Sequence, residues 1–193
     1  MRRRRLKSND RSLNDDVAEK EPRVVVNPEK ARERTFQRAV KLLAAKPRSV
    51  AELRERLLEK QWTNETFVEA VLQKLGEYGY LNDDRFAFGY ASYRVRQKPM
   101  GRQRLMRDLQ LKKVDRETAD EALRLVFEET PEAELIDRAI EKRTRLRGVP
   151  RTRSEIKSLI DHLMRQGFSY ELISNKVRAI STADPDEDDA SIA

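Results

Sequence analysis

The sequence predicts an all-α protein built as three tandem three-helix repeats, stacked into an elongated, curved array of either hand. The prediction rests on three observations. Charged residues make up 39% of the 193 against 38% apolar, with six Gly and seven Pro, a balance that favours helices with wet outer faces over sheets and leaves little for one large core. From Thr35 onward apolar residues fall at helical spacing. Finally, one apolar skeleton recurs: Leu53, Leu57 and Trp62 are followed by Phe67, Val71 and Leu75; Leu105, Leu109 and Val114 by Ala119, Leu123 and Phe127; Leu159, Leu163 and Phe168 by Ile173 and Val177.

Taken in order, residues 1–34 mix Arg, Asn, Asp, Ser and Glu without apolar period and read as a basic, disordered tail. Val24, Val25 and Val26 within it, stopped by Asn27 and Pro28, read as linker because no partner strand is visible. Repeats follow at 35–81, 82–130 and 131–181, each an i, i+4 apolar pair, a turn and an i, i+4, i+8 stripe. A leading helix precedes each pair, carrying Phe36, Ala39, Val40 and Leu43 in the first repeat, Phe86, Tyr90 and Tyr93 in the second, and Leu135, Ile136, Ala139 and Ile140 in the third, for about nine helices in all. One such unit buries little alone, so neighbours should abut, and the joints near residues 80–82 and 128–131 lack Gly/Ser-rich spacers. Residues 182–193, with Asp184, Asp186, Glu187, Asp188 and Asp189, form an acidic tail expected to be disordered.

Between the first and second repeats, Asn82 or Asp83 suits a helix N-cap, with Asp84 complementing the dipole of the first turn. A metal or acid/base pair is the other reading of Asp83 and Asp84, but adjacent helical residues point about 100° apart and no His or further acid accompanies them. Pro99 should stop that helix and Gly101 open the next. Trp62, Val114 and Phe168 occupy equivalent turns and read as buried plugs.

The formal net charge is +7, which favours anionic partners in a salt-dependent way. In the first repeat Glu52, Glu55 and Glu59 interleave with Arg54, Arg56 and Lys60, as solubility alone would ask. The later repeats break that habit. Arg94, Arg96, Lys98, Arg102, Arg104, Arg107, Lys112 and Lys113 crowd the second, with Leu111 exposed among them, and Arg143, Arg145, Arg147, Arg151 and Arg153 the third, where a long Gly- and Pro-bearing loop is expected to carry them. These are the candidate contacts to an anionic polymer or an acidic protein groove. For any single Arg a solvated face is the better explanation.

Catalytic and cofactor readings find little support. Ser158, Asp161 and His162 lie on one helix with Asp161 pointing away from the others, so His162 reads as a flank residue. The absence of Cys removes thiolate and disulfide chemistry, and no P-loop, Gly-rich dinucleotide motif or zinc spacing occurs. No enzyme activity, metal or cofactor is expected. The basic start MRRRRLKSNDR lacks a following apolar run, no window is long enough to span a bilayer, and a cytoplasmic monomer is expected.

The run GYLNDDRFAFGYASYRVRQKPMGRQRLMRDLQLKK, preceded by SVAELRERLLEKQW, resembles the bacterial regulatory protein RecX family over roughly residues 35–180. Its most specific part is YLNDDRFA followed by an Arg-rich helix end and Gly101 ahead of Leu105 and Leu109. Where the family often has Lys-Gly between the second and third helices of a repeat, this chain has Lys60-Gln61 and Lys112-Lys113, while Gln166-Gly167 keeps the glycine. The resemblance implies a non-catalytic accessory protein that lies along the RecA recombinase filament on single-stranded DNA and restrains ATP hydrolysis, strand exchange and co-protease activity in recombinational repair and the SOS response. The other classes are a nonspecific DNA-binding helical protein and a helical-repeat scaffold. The acidic wet sides of the third helices, as in residues 64–75 and 116–127, argue against groove entry.

Overall fold

The computed structural model describes residues 27–182, so the three valines at 24–26 and the acidic cluster at 184–189 lie outside the described residues. Most helices open where a short polar side chain precedes the apolar run. Asn27, Asn64, Asn82 and Asp115 each accept from a backbone amide three residues on, at 2.7 to 3.0 Å, and each such cap stabilises by about 1 kcal/mol. Among the described residues this yields nine helices and no strand: α1 Pro28–Ala45, α2 Val50–Leu58, α3 Glu65–Glu77, α4 Asp83–Gln97, α5 Arg102–Leu111, α6 Arg116–Glu129, α7 Glu132–Arg147, α8 Arg153–Arg165 and α9 Tyr170–Thr182. No helix of these is long and apolar enough to cross a membrane.

The fold is all-α, with α1–α3, α4–α6 and α7–α9 packing chiefly within their own triplets as tandem three-helix repeats. The Leu53/Leu57, Leu105/Leu109 and Leu159/Leu163 pairs are all buried, as are Val114 and Phe168. Repeat 1 has its own core of Ala39, Leu53, Leu57, Val68, Val71, Leu72, Leu75 and Leu81. The cores of repeats 2 and 3 are continuous, running from Ala87 through Leu109 and Leu135 to Val177.

Several expectations are corrected. Residues 28–34, assigned to the tail, are helical, because Asn27 caps and Pro28 presets the first turn of α1. Tyr93 is 61% exposed and Val40 43% exposed rather than core-facing; Ala87, Ala91 and Val95 line the buried face of α4, and Ala31, Thr35 and Ala39 that of α1. Small residues on these faces let α4 and α1 lie close against α6 and α3, which bulky rings would prevent. Arg143, Arg145 and Arg147 ride on α7, which runs to Gly148, so the connection to α8 is short.

Trp62 is 39% exposed, under Arg34 and Lys60, and is no plug. The buried position moves on by one, to Thr63, whose hydroxyl accepts from Thr35 Oγ1 at 2.9 Å. The difference begins in the preceding turn. After α5 and α8, Val114 N–H donates back to Leu109 O and Phe168 N–H to Leu163 O, closing the turn through a left-handed residue, Lys113 (φ 60°) and Gly167 (φ 89°). Lys113 thus adopts the glycine conformation without being glycine. The α2 turn contains no positive-φ residue.

Successive repeats meet in one recurring way. The N-terminus of the second helix of a repeat receives the turn that ends the second helix of the next. Ser49, capping α2, donates its hydroxyl to Lys112 O, and Gly101, capping α5, donates its amide to Gln166 O at 3.0 Å, with Gln103 N–H reaching Gly167 O at 3.1 Å. A carboxylate opening the next repeat then takes the first helical amide: Val50 N–H donates to Asp83 Oδ1 and Arg102 N–H to Glu132 Oε1, each at 2.8 Å. Helix termini leave such amides orphaned, so the neighbour supplies the cap. At α8 the role is filled locally, Glu155 Oε2 accepting from Arg151 and Thr152 amides at 2.9 and 3.0 Å.

Candidate functional site

The basic residues of the second and third repeats divide by partner. Arg94 pairs with Asp108 at 2.9 Å and leans on the Tyr90 ring, Arg102 pairs with Asp120 at 2.9 Å, and Arg145 with Glu141 at 2.6 Å. Lys112 and Lys113 reach back to Glu52 and Glu55 of the first repeat. Those two glutamates, which read along the chain as partners for their own helix, also bridge repeats, Glu52 while pairing with Arg48 at 2.6 Å within its own repeat. Arg107 bonds only to Gln103 O of its own helix, and Arg96, Lys98, Arg147, Arg151 and Arg153 are exposed with no ion pair among the described residues. Leu111, at the end of α5, is 80% exposed.

Part of this set converges. Lys98 leaves the end of α4, Lys142, Arg143 and Arg147 project from α7, and His162 and Gln166 from α8, together lining a cleft of about 270 Å³ between the second and third repeats. Pro99 and Ala139 complete its walls and Leu146, 75% exposed, stands at its edge. On the other side Arg143 and Arg147 border a second hollow of about 210 Å³ with Gly148, Pro150, Ser158 and Glu155, whose carboxylate serves the capping box of α8. Arg143 Nη2 is fixed by Ser158, donating to its Oγ at 2.8 Å and its carbonyl at 3.3 Å.

The electrostatics are one-sided. Burial, then Arg147 and Arg165, pull the Arg143 guanidinium below its ordinary value. Burial likewise lowers His162, helped by Arg143, Arg165, Lys98 and Arg147. Gln166 Nε2 donates to His162 Nε2 at 2.6 Å, which suits a neutral ring, while Gln166 Oε1 is buried without a partner. Lys142 and Arg165 are not singled out by the sequence, and His162 reads there as a flank residue. The i, i+4 spacing of Arg143 and Arg147 was available, but Lys98 and α8 join them only through tertiary packing.

The acidic candidates find structural work. Asn82 caps α4, and Asp83 caps α2 across the junction, with burial raising its carboxyl first and the Val50 amide pulling it down. Among the described residues no three His, Asp or Glu side chains gather as a metal site.

Comparison with known proteins adds the following. Residues 36–75 match the first three-helix domain of RecX and residues 82–123 the second. The chain is similar to "Regulatory protein RecX" of Prosthecochloris aestuarii, 31% identical over 77% of this chain and 95% of that one. It is similar to the protein of the same name from Bacillus subtilis, 33% identical over 72% of this chain and 52% of that one. It spans between half and three-fifths of the length of the Bacillus relatives it matches. The crystal structure of RecX from Lactobacillus salivarius shares the fold, with a TM-score of 0.71 at 19% identity, covering 80% of this chain and 99% of that one.

Proposed function

Since this chain belongs to the RecX family of regulatory proteins, we propose that it binds the RecA recombinase filament on single-stranded DNA and restrains its ATPase, strand-exchange and co-protease activities. The observation that carries this reading is the set of cations left without carboxylates on repeats that are joined head to tail. A junction that reuses the same faces displaces each repeat from the last by a similar step, so the chain extends along a polymer instead of closing on itself. Many weak contacts at intervals then add as avidity, and phosphate or carboxylate partners make them salt-sensitive. No catalysis enters the reading, and we expect a monomer in the cytoplasm.

The test compares the protein with recombinase on single-stranded DNA, and with DNA alone, over a range of salt. Reversing Arg96 and Arg107 in one variant, and Arg147, Arg151 and Arg153 in another, should weaken filament binding at least about tenfold and flatten its salt dependence. Unchanged inhibition by both variants sinks the assignment of these residues. Equal binding to bare DNA points to a nonspecific DNA-binding protein, and no effect on either to a scaffold.

A further inference from the structure

We propose that the cleft between the second and third repeats, walled by Lys98, Lys142, Arg143, Arg147 and His162, is a discrete binding site for one phosphate group. The function proposed above bears only on where that phosphate comes from.

The first support is charge balance. Elsewhere on α4 to α9 several cations find carboxylates, Arg94 with Asp108, Arg102 with Asp120, Arg138 with Glu134, Arg145 with Glu141 and Lys176 with Asp137, while Arg96, Arg107 and Arg153 stand singly on exposed faces. Lys98, Lys142, Arg143, Arg147 and Arg165 form no ion pair among the described residues. Gathering like charges into a partly enclosed space raises the energy of the folded state, and an anion placed there removes that cost.

Shape is the second. The end of α4 and helix α7 bring cations, and α8 brings His162 and Gln166, to one concavity of about 270 Å³, room for a phosphate and several waters at about 30 Å³ each. Arg143 and Arg147 sit one turn apart on α7, and Arg143 is held by Ser158 through a single nitrogen, leaving the rest of its fork for an oxyanion. The third is a place for a proton. Burial first, and then the surrounding cations, favour the neutral His162 ring, and a bound phosphate offsets the part due to the cations. Protonated Nε2 then becomes a donor, and a half-turn of the Gln166 amide presents to it the buried oxygen that now has no partner.

His162 is the only histidine, so its ring signals report on the cleft without labelling chemistry. With inorganic phosphate added at constant ionic strength, those signals should shift to saturation and the imidazole pKa should rise by about one unit, whereas sodium chloride and acetate at equal ionic strength leave it in place. The R143Q/R147Q protein, checked for helical content by circular dichroism, should lose the saturation. A short oligothymidine that displaces phosphate identifies a phosphodiester as the physiological ligand; one that leaves phosphate bound identifies free phosphate. A wild-type response to phosphate no different from that to chloride overturns the proposal, and that measurement requires no variant to fold. Scoring filament inhibition in parallel separates the two readings: inhibition without a saturable phosphate site defeats this one alone, and a saturable site without inhibition defeats the other.

Discussion

At Asp83 and Glu132 a half-buried carboxylate accepts the first amide of a helix in the preceding repeat. Burial raises both carboxyls, and the amide bond opposes it in part. A carboxyl raised on folding binds its proton more tightly in the native state. Its stabilising contribution is therefore full below the ordinary carboxylate pKa of about 4 and is lost as pH rises through the raised value. Asp83→Ala and Glu132→Ala, which delete the acceptor, should each cost about 1–2 kcal/mol in urea unfolding at pH 7. Asp83→Asn and Glu132→Gln keep an oxygen for the amide, so they should cost less and remove that pH slope, which lies just above the ordinary carboxylate range. Lys113 offers a substitution of the opposite sign. It holds φ 60° while its amine pairs with exposed Glu55, and since left-handed backbone costs a side-chain-bearing residue roughly 1 kcal/mol and a surface pair contributes less, Lys113→Gly should stabilise by about 0.5 kcal/mol.

Between elements, the contact of α5 with the end of α8 is main chain on main chain. A Cβ on Gly101 would overlap the Gly167 carbonyl and the Phe168 nitrogen, and a Cβ on Gly167 would overlap Arg104 at a φ of 89° that side chains rarely adopt. Gly101→Ala should therefore part the second and third repeats, costing about 2 kcal/mol or more and exposing residues 98–104 and 165–169 to faster hydrogen exchange, while α1–α3 keep their protection. The helix pairs that define the repeats were legible because Leu53/Leu57, Leu105/Leu109 and Leu159/Leu163 need only their own helix to be recognised. What escaped depends on neighbours. Aromatic Tyr93 looked like core, yet close packing of α4 on α6 selects Ala87 and Ala91; Trp62 lost its slot to Thr63 when its turn closed without a left-handed residue; and Glu52 and Glu55 looked local while reaching to Lys112 and Lys113. The phosphate cleft was invisible for the same reason, since Lys98 and His162 lie far apart in sequence and meet through packing.

For the molecule as a whole, one core serves repeats 2 and 3 and a separate core serves repeat 1. Unfolding followed residue by residue through native-state hydrogen exchange should accordingly resolve two cooperative units, α1–α3 and α4–α9; a single unit spanning all nine helices would contradict this division. The two junctions differ in kind as well. Backbone contact joins the later pair, whereas the earlier one relies on the Ser49 and Val50 bonds together with Lys112–Glu52 and Lys113–Glu55, pairs that salt screens. One joint is welded and the other latched. Rising ionic strength should slacken the latch first, so that the opening helical trio gains freedom while the remaining two-thirds hold their shape.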